Sequence, residues 1–305
     1  WSARGEGKDV VSVMEGFRNK LGDQVSLTYA KGAEVEGDDK KGFDEALAKA
    51  READAVVAVV GEKAMMSGEA LSRMHIGLPG VQQELVMELA KLGKPLVVVL
   101  MNGRPLAIPE LDQNVPAILE AWLPGTEGGN ALADVVFGDV NPSGKLTASF
   151  PWHVGQVPVN YEHKNTGRPR TESRYTSKYI DGPNEPLYPF GYGLSYTSFK
   201  YSKPELNATE IGFEDELEIL LRVKNTGKRK GEEVVQLYIR DMVGSVTRPV
   251  KELKGFRKIA LEPGEEKEVV FKITAEDLAF YNKNMEFKAE PGNFKVFTGA
   301  NSRDV

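Results

Sequence analysis

Continuous apolar runs alternate with amphipathic segments along the first 150 residues of the chain. Runs of the length and hydrophobicity expected of central parallel strands occur at Ala55–Val60, Leu96–Met101 and Ala117–Trp122. A shorter strand is predicted at Val25–Tyr29. Helical spacing of apolar residues is found at Val10–Leu21, Phe43–Ala50, Pro79–Leu92 and Gly128–Phe137. This alternation predicts an α/β fold, a three-layer α/β sandwich with a mostly parallel sheet.

The pattern changes after residue 198 to short alternating strands separated by turns such as NTGKRKG and EPGEE. The clearest of these strands are Leu217–Lys224, Glu233–Arg240, Glu268–Ile273 and Asn293–Thr298. Strands at this spacing, over about a hundred residues, predict an all-β immunoglobulin-like sandwich. Between the two patterns, residues 151–198 are rich in Tyr, Pro, Gly and Asn and show little periodicity, which is typical of a long ordered linker.

These boundaries predict an α/β sandwich domain over residues 1–150, an interdomain linker over 151–198 and a β-sandwich domain over 199–305. Trp1 opens the chain without a recognisable first strand, so we expect the first strand of the α/β domain to be missing. We therefore interpret the chain as part of a larger protein.

Composition and charge argue against several kinds of binding partner. The formal net charge of the 305 residues is −6, and basic residues are interspersed with acidic ones, so we expect no nucleic-acid partner. The longest apolar run is far shorter than the ~20 residues that cross a bilayer, and we expect no membrane anchor. No cysteine is present and the three histidines lack metal-ligand spacing, so we predict neither a metal site nor a cofactor.

The best candidate for chemistry is the loop GEKAMMSGEALSR, which follows the strand AVVAVV. Loops beyond the carboxyl ends of strands are where open α/β sheets bind ligands. This loop holds two acids, Glu62 and Glu69, and its Met65, Met66 and Leu71 could supply apolar walls. An apolar niche keeps a carboxyl group protonated near neutral pH, as a general acid requires, although a lone loop glutamate is more often simply solvated.

Several long motifs are distinctive. In the α/β region they are the GE-x6-E-A-x-S-R pattern, LPGVQQELV, GKPLVVVLMNGRPL and AILEAWLPGTEGGNALADVVFGDVNPSGKLTASFP. From the linker onward they are GQVPVNYEHKNTGRP and PLYPFGYGLSYTSFKYS. These motifs resemble glycoside hydrolase family 3 of the bacterial β-glucosidase type, and the resemblance covers the chain from about Ala55 onward. It implies that the β-sandwich is of the fibronectin type III-like kind.

The resemblance implies a β-glucosidase, an exo-acting retaining hydrolase that releases glucose from the non-reducing ends of β-glucosides. The glutamate of the family's matching segment, the general acid/base, is Glu69 here. The family's nucleophile is an aspartate in an N-terminal (β/α)8 barrel, which this chain lacks, so we expect the chain alone to be inactive. We predict that Met66 and Glu62 contact substrate, with packing and loop bracing as the respective alternatives, and that Arg73 pairs with an acid to hold the loop.

The expected partners are a β-linked gluco-oligosaccharide or aryl glucoside, the barrel of the same enzyme and, as a further option, a second copy in a homodimer. By family analogy the protein is periplasmic or secreted. Two alternatives stay open: a non-catalytic carbohydrate-binding or scaffolding module, and a family 3 β-xylosidase or α-L-arabinofuranosidase. We interpret the glycine-rich motif GTEGGNA as the start of a small-residue helix that packs tightly on the sheet, rather than as a phosphate-binding loop.

Overall fold

The computed structural model describes residues 6–305. Contacts divide the chain into two compact units, an α/β unit that runs to Val140 and includes Pro151–Val157, and a β-rich unit formed by Asn141–Phe150 and Pro158–Val305. The domain boundaries and linker deduced from the sequence stay predictions. The expectation that a first strand is missing concerns the start of the chain, which lies outside the described residues.

The α/β unit contains a parallel three-stranded sheet in the order β1-β2-β3. Its strands are β1 (Val56–Gly61), β2 (Leu96–Met101) and β3 (Ala117–Glu120). Its α-helices are α1 (Val13–Leu21), α2 (Phe43–Glu52), α3 (Gln82–Ala90), α4 (Pro109–Asn114) and α5 (Gly128–Val136). The predicted α/β class with a parallel sheet is confirmed.

The central strand β2 is covered on both faces. Val98, Val99 and Leu100 are each at most 1% exposed, and successive side chains of a strand point to opposite faces. Since both faces are buried, the sheet lies between two other layers, as the continuous apolar run predicts. Burial of this run stabilises the unit.

Helices α1 and α5 approach each other through glycine. A Cβ added at Gly16 of α1 would lie 2.1 Å from the carbonyl carbon of Gly129 in α5, and a Cβ at Gly129 would lie 2.1 Å from the carbonyl oxygen of Ser12. Only residues without a side chain allow this backbone contact. The small-residue helix of the GTEGGNA motif therefore packs tightly against α1.

Two local predictions differ from the structure. Val25–Tyr29 forms no strand, because a β-like run of five residues gains hydrogen bonds only where a neighbouring strand is available. Helix α4 was not predicted, since a segment of six residues is too short to show helical periodicity, although Pro109 occupies a favoured first-turn position. Among residues 6–305, no helix combines the length and apolar character needed to cross a membrane.

The β-rich unit contains two antiparallel sheets and a short hairpin. One sheet has the order β12-β7-β8, and in the other β6 pairs with β4, β5 and β9. The strands are β4 (Phe199–Tyr201), β5 (Glu205–Leu206), β6 (Leu217–Asn225), β7 (Gly231–Asp241), β8 (Glu252–Leu261), β9 (Glu266–Ile273), β10 (Phe280–Tyr281), β11 (Phe287–Lys288) and β12 (Phe294–Gly299). Alternating apolar residues of β6, β7 and β9 form its core, which confirms the predicted β-sandwich class.

Residues 158–198 are anchored to this unit by aromatic and amide contacts. Tyr161 stacks on Phe190 with ring centroids 4.4 Å apart and meets Tyr238 of β7 edge-on. The buried amide of Gln236 donates to the carbonyl oxygens of Gly191 and Ala300 at 3.1 and 2.7 Å. The Tyr-rich, Gly-rich composition thus supplies packing and close backbone approach rather than regular structure.

Candidate active site

Three polar side chains lie where the three parallel strands end. Glu62 directly follows β1, Asn102 directly follows β2, and Glu120 is the last residue of β3. Because parallel strands end at one edge of a sheet, these residues share the carboxyl edge. The end of β1 is fixed by the buried amide of Gln82, which bonds to both the N–H and the carbonyl oxygen of Gly61 at 2.9 Å.

Glu69 lies in the loop after β1, within a stretch we call the acid segment, residues 63–73. Its side chain is exposed and has no hydrogen bond or ion pair within the described part of the chain. The next residue, Ala70, has φ +59°, a left-handed conformation that is uncommon for a residue with a side chain. Such strain, at a residue next to a polar side chain, is typical of functional loops.

The apolar niche expected around Glu69 is not formed by residues 6–305. Met65 is 76% exposed, and Glu69 itself is open to solvent. Met66 is half-buried, and its predicted contact with substrate stays a prediction. If Glu69 works in a water-poor site, residues outside this chain have to cover it.

Glu62 has the opposite environment. Its side chain is 1% exposed, and it accepts from Arg73 Nη1 at 2.5 Å and from Arg104 Nε at 3.0 Å. The N–H of Gly103 lies 3.4 Å from its second oxygen. Two guanidinium groups therefore neutralise this buried carboxylate, a geometry that favours loop bracing over the predicted contact with substrate, which stays untested.

The same two arginines also bind the backbone of the loop. Arg104 Nη2 donates to the carbonyl oxygens of Met66 and Leu71, the latter at 2.9 Å. Arg73 Nη2 donates to the carbonyl oxygen of Gly77 at 3.2 Å. The role predicted for Arg73, pairing with an acid to hold the loop, agrees with these contacts, whereas sequence reasoning missed Arg104.

Glu120 is a second acid at this edge, and it is half-buried. It accepts from the N–H of Trp122 at 2.9 Å and from Asn102 Nδ2 at 3.4 Å. Burial raises the pKa of Glu120 to about 7; these two donors oppose the shift, and the nearby charge of Glu62 adds to it. Asn102 Oδ1 is buried without a hydrogen-bond partner among residues 6–305, and Trp122 has φ +50°.

Sequence reasoning missed Asn102, Arg104 and Glu120. Their positions at the ends of predicted strands could have indicated them. NGR directly follows the run LVVVLM, and the glutamate of AILEAW lies at the end of the next apolar run. Within residues 6–305, no group of three or more His, Cys, Asp or Glu side chains is arranged to hold a metal ion. The loop after β1 thus carries one exposed carboxyl group, Glu69, whereas Glu62 and Glu120 at the strand ends are held by arginine, amide and backbone donors.

Two family models match the chain. The model of the glycosyl hydrolase family 3 C-terminal domain matches residues 1–196, and that of the fibronectin type III-like domain matches residues 233–302. Together they cover both units of the structure.

Relatives agree with this match. A periplasmic β-glucosidase from Salmonella typhimurium is 49% identical over the whole chain, and a β-xylosidase from Formosa agariphila is 46% identical over 96% of it. The crystal structure of a β-glucosidase from Listeria innocua in complex with glucose superposes with a TM-score of 0.92 and is 43% identical over 98% of the chain.

The chain spans only part of each of these proteins, namely 43% of the Salmonella relative, 40% of the Formosa relative and 42% of the Listeria chain. The matched region includes the α/β unit and the β-sandwich alike. The chain belongs to glycosyl hydrolase family 3, of which it represents the C-terminal domain followed by the fibronectin type III-like domain.

Proposed function

We propose that this chain is the part of a retaining β-glucosidase that supplies the general acid/base, Glu69. The nucleophile would be the aspartate that the family resemblance assigns to an N-terminal barrel. The observation that carries the proposal is the contrast at the carboxyl edge. Glu69 is exposed and unpaired within residues 6–305, whereas the side chain of Glu62 is buried, Glu120 is half-buried, and both are bonded to their surroundings. Of these three acids, Glu69 is the most accessible to a substrate.

The proposed reaction has two steps. In the first, Glu69 donates its proton to the glycosidic oxygen while the aspartate attacks the anomeric carbon, which gives a covalent glycosyl-enzyme and a free alcohol. In the second, Glu69, now a carboxylate, removes a proton from water as the water attacks the same carbon and releases the aspartate. Retention requires the two carboxyl groups to be about 5–5.5 Å apart across the sugar.

The exposure of Glu69 has a consequence for this mechanism. A proton donor works in a site from which bulk water is largely excluded, and residues 6–305 leave Glu69 exposed. The barrel must then provide both the nucleophile and the cover. We therefore expect the chain alone to lack hydrolytic activity.

The test is Glu69→Ala in the complete enzyme, with Glu52→Ala as the matched control, since Glu52 is an exposed glutamate at the end of α2. General acid–base catalysis contributes about 10²–10⁴-fold, so hydrolysis of an alkyl β-glucoside should fall by that factor. A 2,4-dinitrophenyl glucoside, whose leaving group needs no proton, should retain its first step, and azide should accelerate its turnover. Near-normal hydrolysis of the alkyl glucoside by Glu69→Ala would contradict the assignment.

A β-xylosidase is the second candidate, because the Formosa relative with 46% identity carries that name. Both sugars use the same two carboxyl groups, so Glu69 keeps its role in either case. The ratio of kcat/KM for p-nitrophenyl β-glucoside to that for p-nitrophenyl β-xyloside separates them. A ratio above one supports the glucosidase and a ratio below one supports the xylosidase.

We also propose that the complete protein is exported to the periplasm, on the basis of the Salmonella relative named as periplasmic. Osmotic-shock fractionation of the native host should release the activity with periplasmic markers. Retention of the activity with cytoplasmic markers would contradict export. The homodimer expected from the sequence stays a prediction.

A further inference from the structure

Arg104 contacts the acid segment on both sides of Glu69. Its Nη2 donates to the carbonyl oxygen of Met66, three residues before Glu69, and to that of Leu71, two residues after it. One nitrogen with two hydrogens thus joins the two ends of a six-residue stretch. Arg104 itself comes from the loop after β2, so it connects this stretch to the central strand of the sheet.

The guanidinium group is itself held in place. Its Nε lies 3.0 Å from Glu62 Oε1, and Glu62 is 1% exposed and directly follows β1. The carboxylate thereby fixes the plane of the guanidinium group while Nη2 remains available to the carbonyl oxygens. Arg104 is 20% exposed, so most of this arrangement is shielded from water and from salt screening.

The stretch between these contacts has little support of its own. Residues 67–72 form no helix or strand, and within the stretch there is a single backbone–backbone hydrogen bond, from Leu71 N–H to the carbonyl oxygen of Gly68 at 3.2 Å. Gly68 and Ala70, on either side of Glu69, both have positive φ. A proton donor displaced by about 1 Å can lose about 10²-fold in rate, so the anchoring of this stretch bears directly on catalysis.

We propose that Arg104 is a positioning residue for Glu69, acting as a clamp that binds the carbonyl oxygens of Met66 and Leu71 and is oriented by the buried carboxylate of Glu62. This inference rests on the proposed role of Glu69 as the general acid/base. Lysine cannot replace Arg104 in this role, because a single ammonium group cannot hold Glu62 and both carbonyl oxygens in the same plane.

The first experiment measures kinetics in the complete enzyme with Arg104→Lys, Arg104→Ala and the control Arg51→Lys, which changes an exposed arginine of α2. For an alkyl glucoside we expect kcat to fall about 10–100-fold in both Arg104 variants, with KM within about threefold. The loss should be much smaller in the first step with a 2,4-dinitrophenyl glucoside. The double variant Arg104→Ala/Glu69→Ala should be no slower than Glu69→Ala alone, since a positioning residue has nothing left to position.

The second experiment measures hydrogen exchange in the same proteins. Peptides that cover residues 66–72 should exchange faster in Arg104→Ala, whereas peptides from α5 and from the β-sandwich should be unchanged. Unchanged exchange at 66–72, equal kcat losses for both leaving groups, or additive losses in the double variant would each overturn the proposal. If Glu69→Ala alone hydrolyses the alkyl glucoside at a nearly normal rate, Glu69 is not the general acid and Arg104 has no catalytic group to position. The hydrogen-exchange data would then still show whether Arg104 holds residues 66–72 in place.

Discussion

Two buried carboxylates, Glu62 in the α/β unit and Glu233 in the β-rich unit, show how one kind of interaction serves two purposes. Each side chain is at most 4% exposed and is neutralised by cations. The partners of Glu62 are two arginines that also donate hydrogen bonds to backbone carbonyl oxygens of the loop after β1. Glu233 binds Lys145 and the hydroxyl group of Tyr201, both at 2.9 Å, and so joins residues 141–150 and β4 to β7.

Two buried asparagines extend the contrast. Asn225, at the end of β6, uses both ends of its amide: Nδ2 donates to the carbonyl oxygens of Leu261 and Arg229, and Oδ1 accepts from Thr197 and Gly227. Asn102, at the end of β2, leaves its buried Oδ1 without a partner among residues 6–305. Complete pairing is typical of a structural polar group, and incomplete pairing is typical of a site.

The largest expected effect comes from deleting either carboxylate. Glu62→Ala removes the carboxylate partner of two largely buried arginines and Glu233→Ala that of the largely buried Lys145, and each change should lower the free energy of unfolding by about 3 kcal/mol or more. Glu62→Ala should also lower kcat for alkyl glucosides, because the clamp on the acid segment loses its orienting group. Denaturant titration and active-site-normalised kinetics of the complete enzyme measure the two effects. Equal losses of kcat in Glu62→Ala and Glu233→Ala would contradict the view that only Glu62 supports the acid segment.

The next effect concerns pH and Glu120. Its pKa is raised by burial to about 7, against an unfolded value of 4.5, so between these values the folded state binds more protons than the unfolded state. The stabilising contribution is therefore complete below pH 4.5 and is lost as pH rises to about 7, by roughly 3 kcal/mol at 1.36 kcal/mol per pKa unit. Glu120→Gln should remove this dependence, as unfolding measured from pH 4.5 to 8 will reveal. Parallel stability curves for the two proteins would contradict the prediction.

The smallest expected effect is on stability at Glu69. An exposed side chain without a partner in the described structure contributes little, so Glu69→Gln should change the free energy of unfolding by less than about 0.5 kcal/mol. Denaturant titration beside Glu62→Gln provides the comparison. A loss above about 1 kcal/mol at Glu69 would mean that the residue supports the fold.

Much of the fold follows from local sequence. The run Leu96–Met101 forms β2 with the predicted bounds, because a continuous apolar strand can be satisfied only at the centre of a covered sheet. The ends of the sandwich strands shift by one or two residues. Strand β8, Glu252–Leu261, was not identified because the segment KELKGFRKIAL is too polar to show a clear strand pattern. Antiparallel pairing with β7 stabilises it in the structure.

The site was less predictable than the fold. Glu69 was selected from its motif, and Arg73 from its neighbourhood in the sequence. The contact between Glu62 and Arg104 joins residues 42 positions apart, which no periodicity reveals. The partial burial of Glu120 depends on the layers packed on the sheet, which local sequence does not reveal.

Gly61 ends β1 opposite Met101, and a Cβ at this position would lie 1.9 Å from the carbonyl oxygen of Met101. Any side chain here would push the two strand ends apart and displace the loop that begins at the next residue. In an enzyme-engineering campaign that randomises the loop after β1 to change sugar preference, position 61 should be kept fixed. Substitutions at Gly61 would give unfolded variants, whereas the exposed Lys63 and Ser72 can be replaced without such a clash.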